Sequence, residues 1–223
     1  DIMRLNMAHG SHDWVRKVCS NVREASKIAK REVGIMMDIK GPEIRTGAVE
    51  KALELKVGDV VEFIPGSDIA SVKDGVYRVS INYPSFAKDV EVGQVVLVDN
   101  GLIRMEVLAK EAPLVRCKVT IAANMGSKRH INLPGVEVDL PAMTQKDKDD
   151  MAVAKEVGVD WIAQSFVRKA SDVVELRAYL KNLGSHAHIV SKLEDQSAIR
   201  NLEAIVHESD GIMVARGDLG VEI

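Results

Sequence analysis

Lys192 and Glu194 stand two residues apart in the apolar run 188–194 (HIVSKLE). Residues i and i+2 of a strand point to the same face, so an ammonium and a carboxylate would look into one space. With Asp218 as a second carboxylate, that space would offer two hard oxygen ligands. Mg2+ is commonly held by one or two carboxylates while water and substrate oxygens complete its shell. Lys192 would then act as a point charge over developing or transferring negative charge. The competing reading is a structural Lys–Glu pair in the wall of the fold. Polar residues recur where other apolar runs end: Arg4 and Asn6, Asp38 and Lys40, Ser165 and Arg168, Arg216 and Asp218. Any one of these alone reads as a solvated turn residue, but five run ends in a row suggest a site. Arg216–Gly220 (RGDLG) could bring backbone N–H groups to an anion, although it is neither GxGxxG nor a Walker loop.

The elements that must position these residues fall into two grammars. At both ends of the chain, short apolar runs alternate with helical patterns. The runs are 2–7, 35–39, 160–167, 188–194 and 211–215. Trp14, Val15, Val18, Val22, Ala25 and Ala29 share one helical face behind Ser11 or Asp13. Thr144 and Asp147 form a capping box before Met151, Ala154 and Val157. Val173, Leu176 and Leu180 follow Ser171, and Ile199, Leu202, Ile205 and Val206 mark a fourth helix. Alternating strands and helices imply βα units and a parallel sheet, whose carboxyl ends carry the chemistry. From about 48 to 135 the pattern is Gly-punctuated and Val-rich with no long helix, which predicts an inserted all-β module, a small barrel. The expected division is therefore 1–41 and 141–223 as α/β, with 42–140 as the insertion. About five strands remain for the α/β part. That suits an open doubly wound sheet or part of a barrel, since a closed barrel needs eight.

Composition narrows the class without naming it. The 223 residues are 46% hydrophobic, with 30 basic against 33 acidic residues and a net charge of −3. A sizeable core can form, and nothing calls for nucleic acid or an anionic membrane surface. No apolar run approaches the roughly 18 residues of a span. Cys19 and Cys117 make no ligand spacing and suit a reducing compartment.

Several stretches taken together resemble the pyruvate kinase family: RLNMAHG (4–10), DIKGPEIRTG (38–47), NLPGVEVDLPAMTQKD (132–147), SFVRKASDV (165–173), SKLE (191–194) and SDGIMVARGDLGVEI (209–223). They occur in the family's order and at its spacing. The resemblance implies a partial (β/α)8 TIM barrel interrupted by an all-β lid. Strand one, strands seven and eight and the C-terminal domain lie outside these residues. It implies phosphoryl transfer from phosphoenolpyruvate to ADP with Mg2+ or Mn2+ and K+, in a homotetrameric parent. Carried over by motif, Lys192 and Arg4 are catalytic, and Arg4 and Arg45 hold phosphate. Lys192, Gly217 and Asp218 meet the substrate, and Glu194 and Asp218 bind the divalent metal. Asn6, Asp38 and the Ile39 carbonyl match the K+ site. Asn6, His9, Arg45 and Arg129 fall to the nucleotide, and Ser165 and Lys169 lie close by.

Departures from the family pattern bear on this reading. Ala8 stands where a serine hydroxyl usually ligates K+, Asn100 where the lid carries a second aspartate, and Arg129 where a lysine meets the nucleotide phosphate. Glu43 retains the residue associated with K+ dependence. The 223-residue chain alone is expected to be inactive or poorly folded. A cytoplasmic location is expected, though NMAHG is also similar to plastid forms. Two rivals carry less: a Mg2+-dependent barrel aldolase or lyase handling enolates, which has no use for the β insertion or GPEIRTG, and a non-catalytic remnant, which has no reason to keep Lys192, Glu194 and Asp218 together.

Overall fold

The computed structural model describes residues 1–223. The chain begins β1 (Ile2–Asn6), α1 (His12–Ala29) and β2 (Gly34–Ile39). It continues through β3 (Leu53–Glu54), β4 (Val60–Pro65), β5 (Ser71–Lys73), β6 (Val76–Ile81), α2 (Phe86–Asp89), β7 (Val95–Val98), β8 (Ile103–Glu111), β9 (Leu114–Ile121), β10 (Asn124–Met125) and β11 (Ile131–Asn132). It ends α3 (Gln145–Val157), β12 (Trp161–Gln164), α4 (Ala170–Leu183), β13 (His188–Leu193), α5 (Gln196–Arg200), α6 (Leu202–Glu208), β14 (Gly211–Val214) and α7 (Arg216–Glu222). Two compact units result: residues 1–42 with 140–219, and residues 43–139 with 220–223.

The first unit is built on a five-stranded sheet in the order β1-β2-β12-β13-β14, with every neighbour parallel. Register sorts its side chains into two faces. Leu5, Ile35, Met37, Ile39, Ile162, Ile189 and Leu193 pack against Val15, Cys19, Met151, Ala154, Val173, Leu176 and Ile205 of the helices. Residues of the other parity, among them Arg4, Asp38 and Lys192, line the opposite face, where Met36, Ala163 and Val190 form a small apolar cluster beneath them. One periodicity thus separates core from chemistry.

The helix ends follow local rules. Ser11 accepts from the Trp14 N–H to cap α1, and Thr144 with Asp147 closes a reciprocal capping box on α3. Gly158 and Gly184 end α3 and α4 in the left-handed conformation. Three details differ from the sequence expectation. Helix α4 starts at Ala170, before Ser171, because the Asp172 carboxylate accepts from the Arg168 and Lys169 N–H groups. The fourth helix is two short ones, broken at Asn201, whose side chain donates to the Arg168 carbonyl. Of its expected apolar face only Ile205 is buried, while Ile199, Leu202 and Val206 are exposed. On α1 the buried stripe runs through Val15 and Cys19, leaving Trp14 44% exposed.

The second unit is a seven-stranded sheet, β11-β7-β8-β9-β4-β6-β5, antiparallel except for the β4–β6 pair. Along β8, Ile103, Met105 and Val107 are buried and alternate with exposed Arg104, Glu106 and Leu108, as half-buried strands require. Phe63 and Phe86 meet edge to face in the core, ring centres 5.7 Å apart. Asp99-Asn100-Gly101 turns the chain into β8 with all three φ angles positive. Glu62, buried on β4, receives Arg78 from one neighbouring strand and Arg116 from the other at 2.8 and 2.6 Å.

Candidate active site

The polar cluster of the first unit forms where its parallel strands end. Arg4 and Asn6 leave β1 in register with Met36 and Asp38 of β2. Asp38 is only 3% exposed and accepts Arg4 Nε at 2.7 Å, with Arg4 Nη2 on the same oxygen. Its other oxygen meets the Ser165 hydroxyl at 3.2 Å and Lys192 Nζ at 3.2 Å. Lys192 also donates to Ser165 Oγ at 2.7 Å and to Glu194 Oε1 at 2.8 Å. The second Glu194 oxygen takes the Phe166 N–H at 2.6 Å. Phe166 adopts φ +55, an uncommon conformation for a bulky residue.

The electrostatics follow from burial and pairing. Burial alone would lower the Lys192 pKa, but Glu194 and Asp38 outweigh it and hold the ammonium above its ordinary value. Glu194 is raised, first by burial and also by the Asp218 charge, against the opposing pull of Lys192 and the Phe166 N–H. Asp218 is therefore near enough for the two carboxylates to feel one another. Gly217 and Asp218 open α7 just after β14, with Gly217 exposed and Asp218 half-buried.

The β1–α1 loop is tied down independently. Asn6 Oδ1 accepts the Ala8 N–H at 3.0 Å, and the Met7 N–H donates to the Asp38 carbonyl at 2.9 Å. Lys146 Nζ reaches the Met7 carbonyl at 3.0 Å and Asp150 at 2.6 Å, and His12 Nε2 lies 2.8 Å from the other Asp150 oxygen. His9 sits exposed on this loop. The Ile39 side chain is buried in the core, which leaves its backbone carbonyl as the only group it can offer to the site.

Arg45 and Arg129 belong to the second unit, on segments bridged antiparallel through Arg45 and His130. Arg45 donates to Glu43 at 2.6 Å and to the Lys128 carbonyl at 2.7 Å. Arg129 points at Asp99, 3.4 Å away. The structure thus gathers Arg4, Asn6, Asp38, Ser165, Lys192, Glu194 and Asp218 in one unit, and Arg45 with Arg129 in the other.

No group of three or more His, Cys, Asp or Glu residues assembles a metal site unaided. Glu194 and Asp218 nonetheless fit Mg2+ or Mn2+, which ask a protein for one or two carboxylates and take other oxygens from water and substrate. A separate open cavity of about 770 Å3, lined by Arg23, Asp160, Trp161, His186 and His188 among others, lies at the amino ends of the strands, away from Lys192. No helix is long and apolar enough to cross a membrane.

Sequence reasoning finds Asp147 only as a helix cap and gives no sign of His12, Lys146 and Asp150 as parts of the site. Lys146 and Asp150 carry a readable signal, an i, i+4 pair on one helix. Nothing local connects that pair to His12, 138 residues away.

Comparison with known proteins agrees over the full length of the chain. A family model described as the pyruvate kinase barrel domain matches residues 1–223. The pyruvate kinase of Geobacillus stearothermophilus is 42% identical over 227 residues, covering 100% of this chain and 38% of the relative. Pyruvate kinase 2 of Trypanosoma brucei brucei is 41% identical over 230 residues, covering 100% and 45%. A crystal structure of a pyruvate kinase from Cryptosporidium parvum superposes with a TM-score of 0.92 at 37% identity, covering 100% of this chain and 46% of that one. The chain spans less than half the length of these relatives. A strand-end cluster of Arg4, Asp38, Lys192 and Glu194, a mixed α/β fold and a whole-length family match converge on one statement: this chain belongs to the pyruvate kinase family.

Proposed function

We propose that the whole protein containing this chain transfers the phosphoryl group of phosphoenolpyruvate to ADP, giving pyruvate and ATP. The observation that carries this reading is the buried Lys192 ammonium, gripped by Ser165, Asp38 and Glu194, with Arg4 on the same Asp38 carboxylate and the Asp218 charge acting on Glu194. Phosphoryl transfer asks little covalent chemistry of a protein and much positioned charge. Lys192 neutralises the transferring group and the enolate oxygen left behind. Arg4 presents a planar fork suited to two hydrogen bonds with phosphate, and already uses two nitrogens on Asp38. The backbone near Gly217 donates to the substrate carboxylate.

Glu194 and Asp218 would hold the divalent cation, which when bound offsets charge on the substrate carboxylate and phosphate. Asn6, Asp38 and the Ile39 carbonyl would hold K+, with Ala8 contributing no hydroxyl. His9, Arg45 and Arg129 serve the nucleotide, Arg129 keeping the charge of a lysine but not its shape. In this reading the five parallel strands are one arc of a closed barrel, the β-rich unit is its lid and the parent is a homotetramer.

The test uses the full-length protein, assayed for ADP-dependent pyruvate formation from phosphoenolpyruvate. Lys192→Met and Glu194→Gln should each abolish most of that activity while leaving the protein folded. A Lys192→Met enzyme as fast as the parent would refute the assignment. C–C cleavage without nucleotide would move it to the lyase class.

A further inference from the structure

We infer that Ser165 is a positioning residue for Lys192, an inference that rests on the phosphoryl-transfer reading above. Lysine has a flexible four-carbon stem, and its ammonium carries three N–H donors. In this structure three acceptors meet them: Glu194 Oε1 at 2.8 Å, Ser165 Oγ at 2.7 Å and Asp38 Oδ1 at 3.2 Å. Two are carboxylates already assigned to cations, Glu194 to the divalent metal and Asp38 to K+. Ser165 is the neutral one. A cation that draws electron density and orientation from Glu194 and Asp38 still leaves the serine lone pairs to the ammonium. Ser165 is thus the contact that keeps Lys192 in place while its carboxylate partners are shared. The same hydroxyl gives its proton to Asp38 at 3.2 Å, so that its lone pairs face the ammonium.

The corner that carries this hydroxyl is built tightly. Ser165 is 3% exposed. Gly41, at φ +70, packs so close that a Cβ there would stand 2.9 Å from the Ser165 carbonyl oxygen and 3.0 Å from its Cβ. The next residue, Phe166, sits at φ +55 and spends its N–H on Glu194 at 2.6 Å. A non-glycine residue in the left-handed region costs on the order of 1 kcal/mol, and such conformations persist where surrounding structure imposes them, often at functional sites. Ser165 and Phe166 therefore fix the ammonium and the carboxylate of the Lys192–Glu194 pair from consecutive positions. A flexible side chain becomes a point charge of defined location.

Two measurements on the full-length protein test this. In steady-state kinetics, Ser165→Ala should lower kcat by about tenfold to a hundredfold, the scale of a slightly misplaced group, with the KM for phosphoenolpyruvate changed less than about threefold. Ser165→Cys, which fills the site with a slightly larger group but is a poor hydrogen-bond partner, should behave alike and serves if the alanine variant folds badly. In the metal-free protein, a cycle of Ser165→Ala, Lys192→Met and the double variant reads the contact from unfolding midpoints. The double variant should fall no further than the larger single one. Additive midpoints, or a Ser165→Ala kcat within twofold of the parent, would overturn the role of Ser165 and leave the activity standing. A parent that forms no pyruvate at all would overturn the activity and this inference with it.

Discussion

Asp147 offers the sharpest quantitative test of how this site is held. Its carboxylate is fully buried and anchors two segments at once. One oxygen accepts from the Thr144 N–H at 2.8 Å and the Thr144 hydroxyl at 2.6 Å, closing the capping box of α3. The other accepts the Gly41 N–H at 3.0 Å, pinning the turn that packs on Ser165. Asp147→Asn keeps the shape and removes one acceptor. If the amide oxygen stays on Thr144, its NH2 points at the Gly41 N–H, donor against donor. If the amide is flipped, the clash moves to Thr144. Either way, at least one hydrogen bond to a charged group is lost, worth about 1.5–3 kcal/mol, and a buried N–H is stranded at about 1–3 kcal/mol. Partial relaxation brings the expected cost to about 2–4 kcal/mol, large for a change of one atom.

The assay is selective among these 223 residues because their two tryptophans, Trp14 and Trp161, belong to the first unit. Their fluorescence reports its unfolding without a signal from the β-rich unit. With a urea m-value of about 2 kcal/mol/M, the midpoint should fall by roughly 1–2 M at unchanged slope. Hydrogen exchange should show the Gly41 amide losing protection in parallel. A midpoint within about 0.3 M of the parent, with Gly41 still protected, would refute the claim that this carboxylate ties α3 to the β2 turn.

Further outcomes follow from other contacts. Gly41→Ala places a Cβ 2.9 Å from the Ser165 carbonyl at a positive φ, and should cost the first unit about 2 kcal/mol or more by the same fluorescence assay. Glu62 is held below the ordinary glutamate value by hydrogen bonds from Arg116 and then Arg78. With its folded pKa depressed, its contribution is present above the unfolded value near 4.3 and lost as pH falls through the folded one. Glu62→Gln should therefore weaken the β-rich unit at pH 7 and shrink the stability lost on going to acid, read by circular dichroism in urea at both pH values; an undiminished acid loss would contradict this. At the sheet edge Val214 is 56% exposed on β14, which pairs only with β13. Val214→Lys should reduce self-association of the 223-residue chain in light scattering, since charge on an open edge opposes strand pairing.

How far the sequence reveals this molecule depends on which interactions are local. The strand runs, the capping box at Thr144 and Asp147 and the alternation of β8 are written in residues a few positions apart, and they appear where periodicity puts them. The fourth helix departs from its apolar spacing: Ile199, Leu202 and Val206 have the pattern of a buried face, while Asn201 breaks the helix and only Ile205 turns inward. Apolar spacing says which residues could be covered, and burial depends on what else is there to cover them. The candidate site is legible in the same partial way. Lys192 and Glu194 share a face because they share a strand, and this can be read from two letters. That Lys192 also meets Asp38 and Ser165 depends on strands β2, β12 and β13 lying side by side, a fact of sheet order that no window of sequence contains.

The same distinction hides Ser165 in the sequence. A serine at the end of an apolar run has no charge to announce it, and its type is common in turns. Its importance is geometric: it faces an ammonium whose other two partners are carboxylates. A site made only of charges would reshuffle whenever a cation or a phosphate entered, because every group in it would have a better partner available. One neutral acceptor, fixed by a close-packed glycine on one side and an enforced backbone on the other, gives the lysine a partner that cations do not compete for. The preorganisation that electrostatic catalysis requires would then reside in the least conspicuous residue of the cluster.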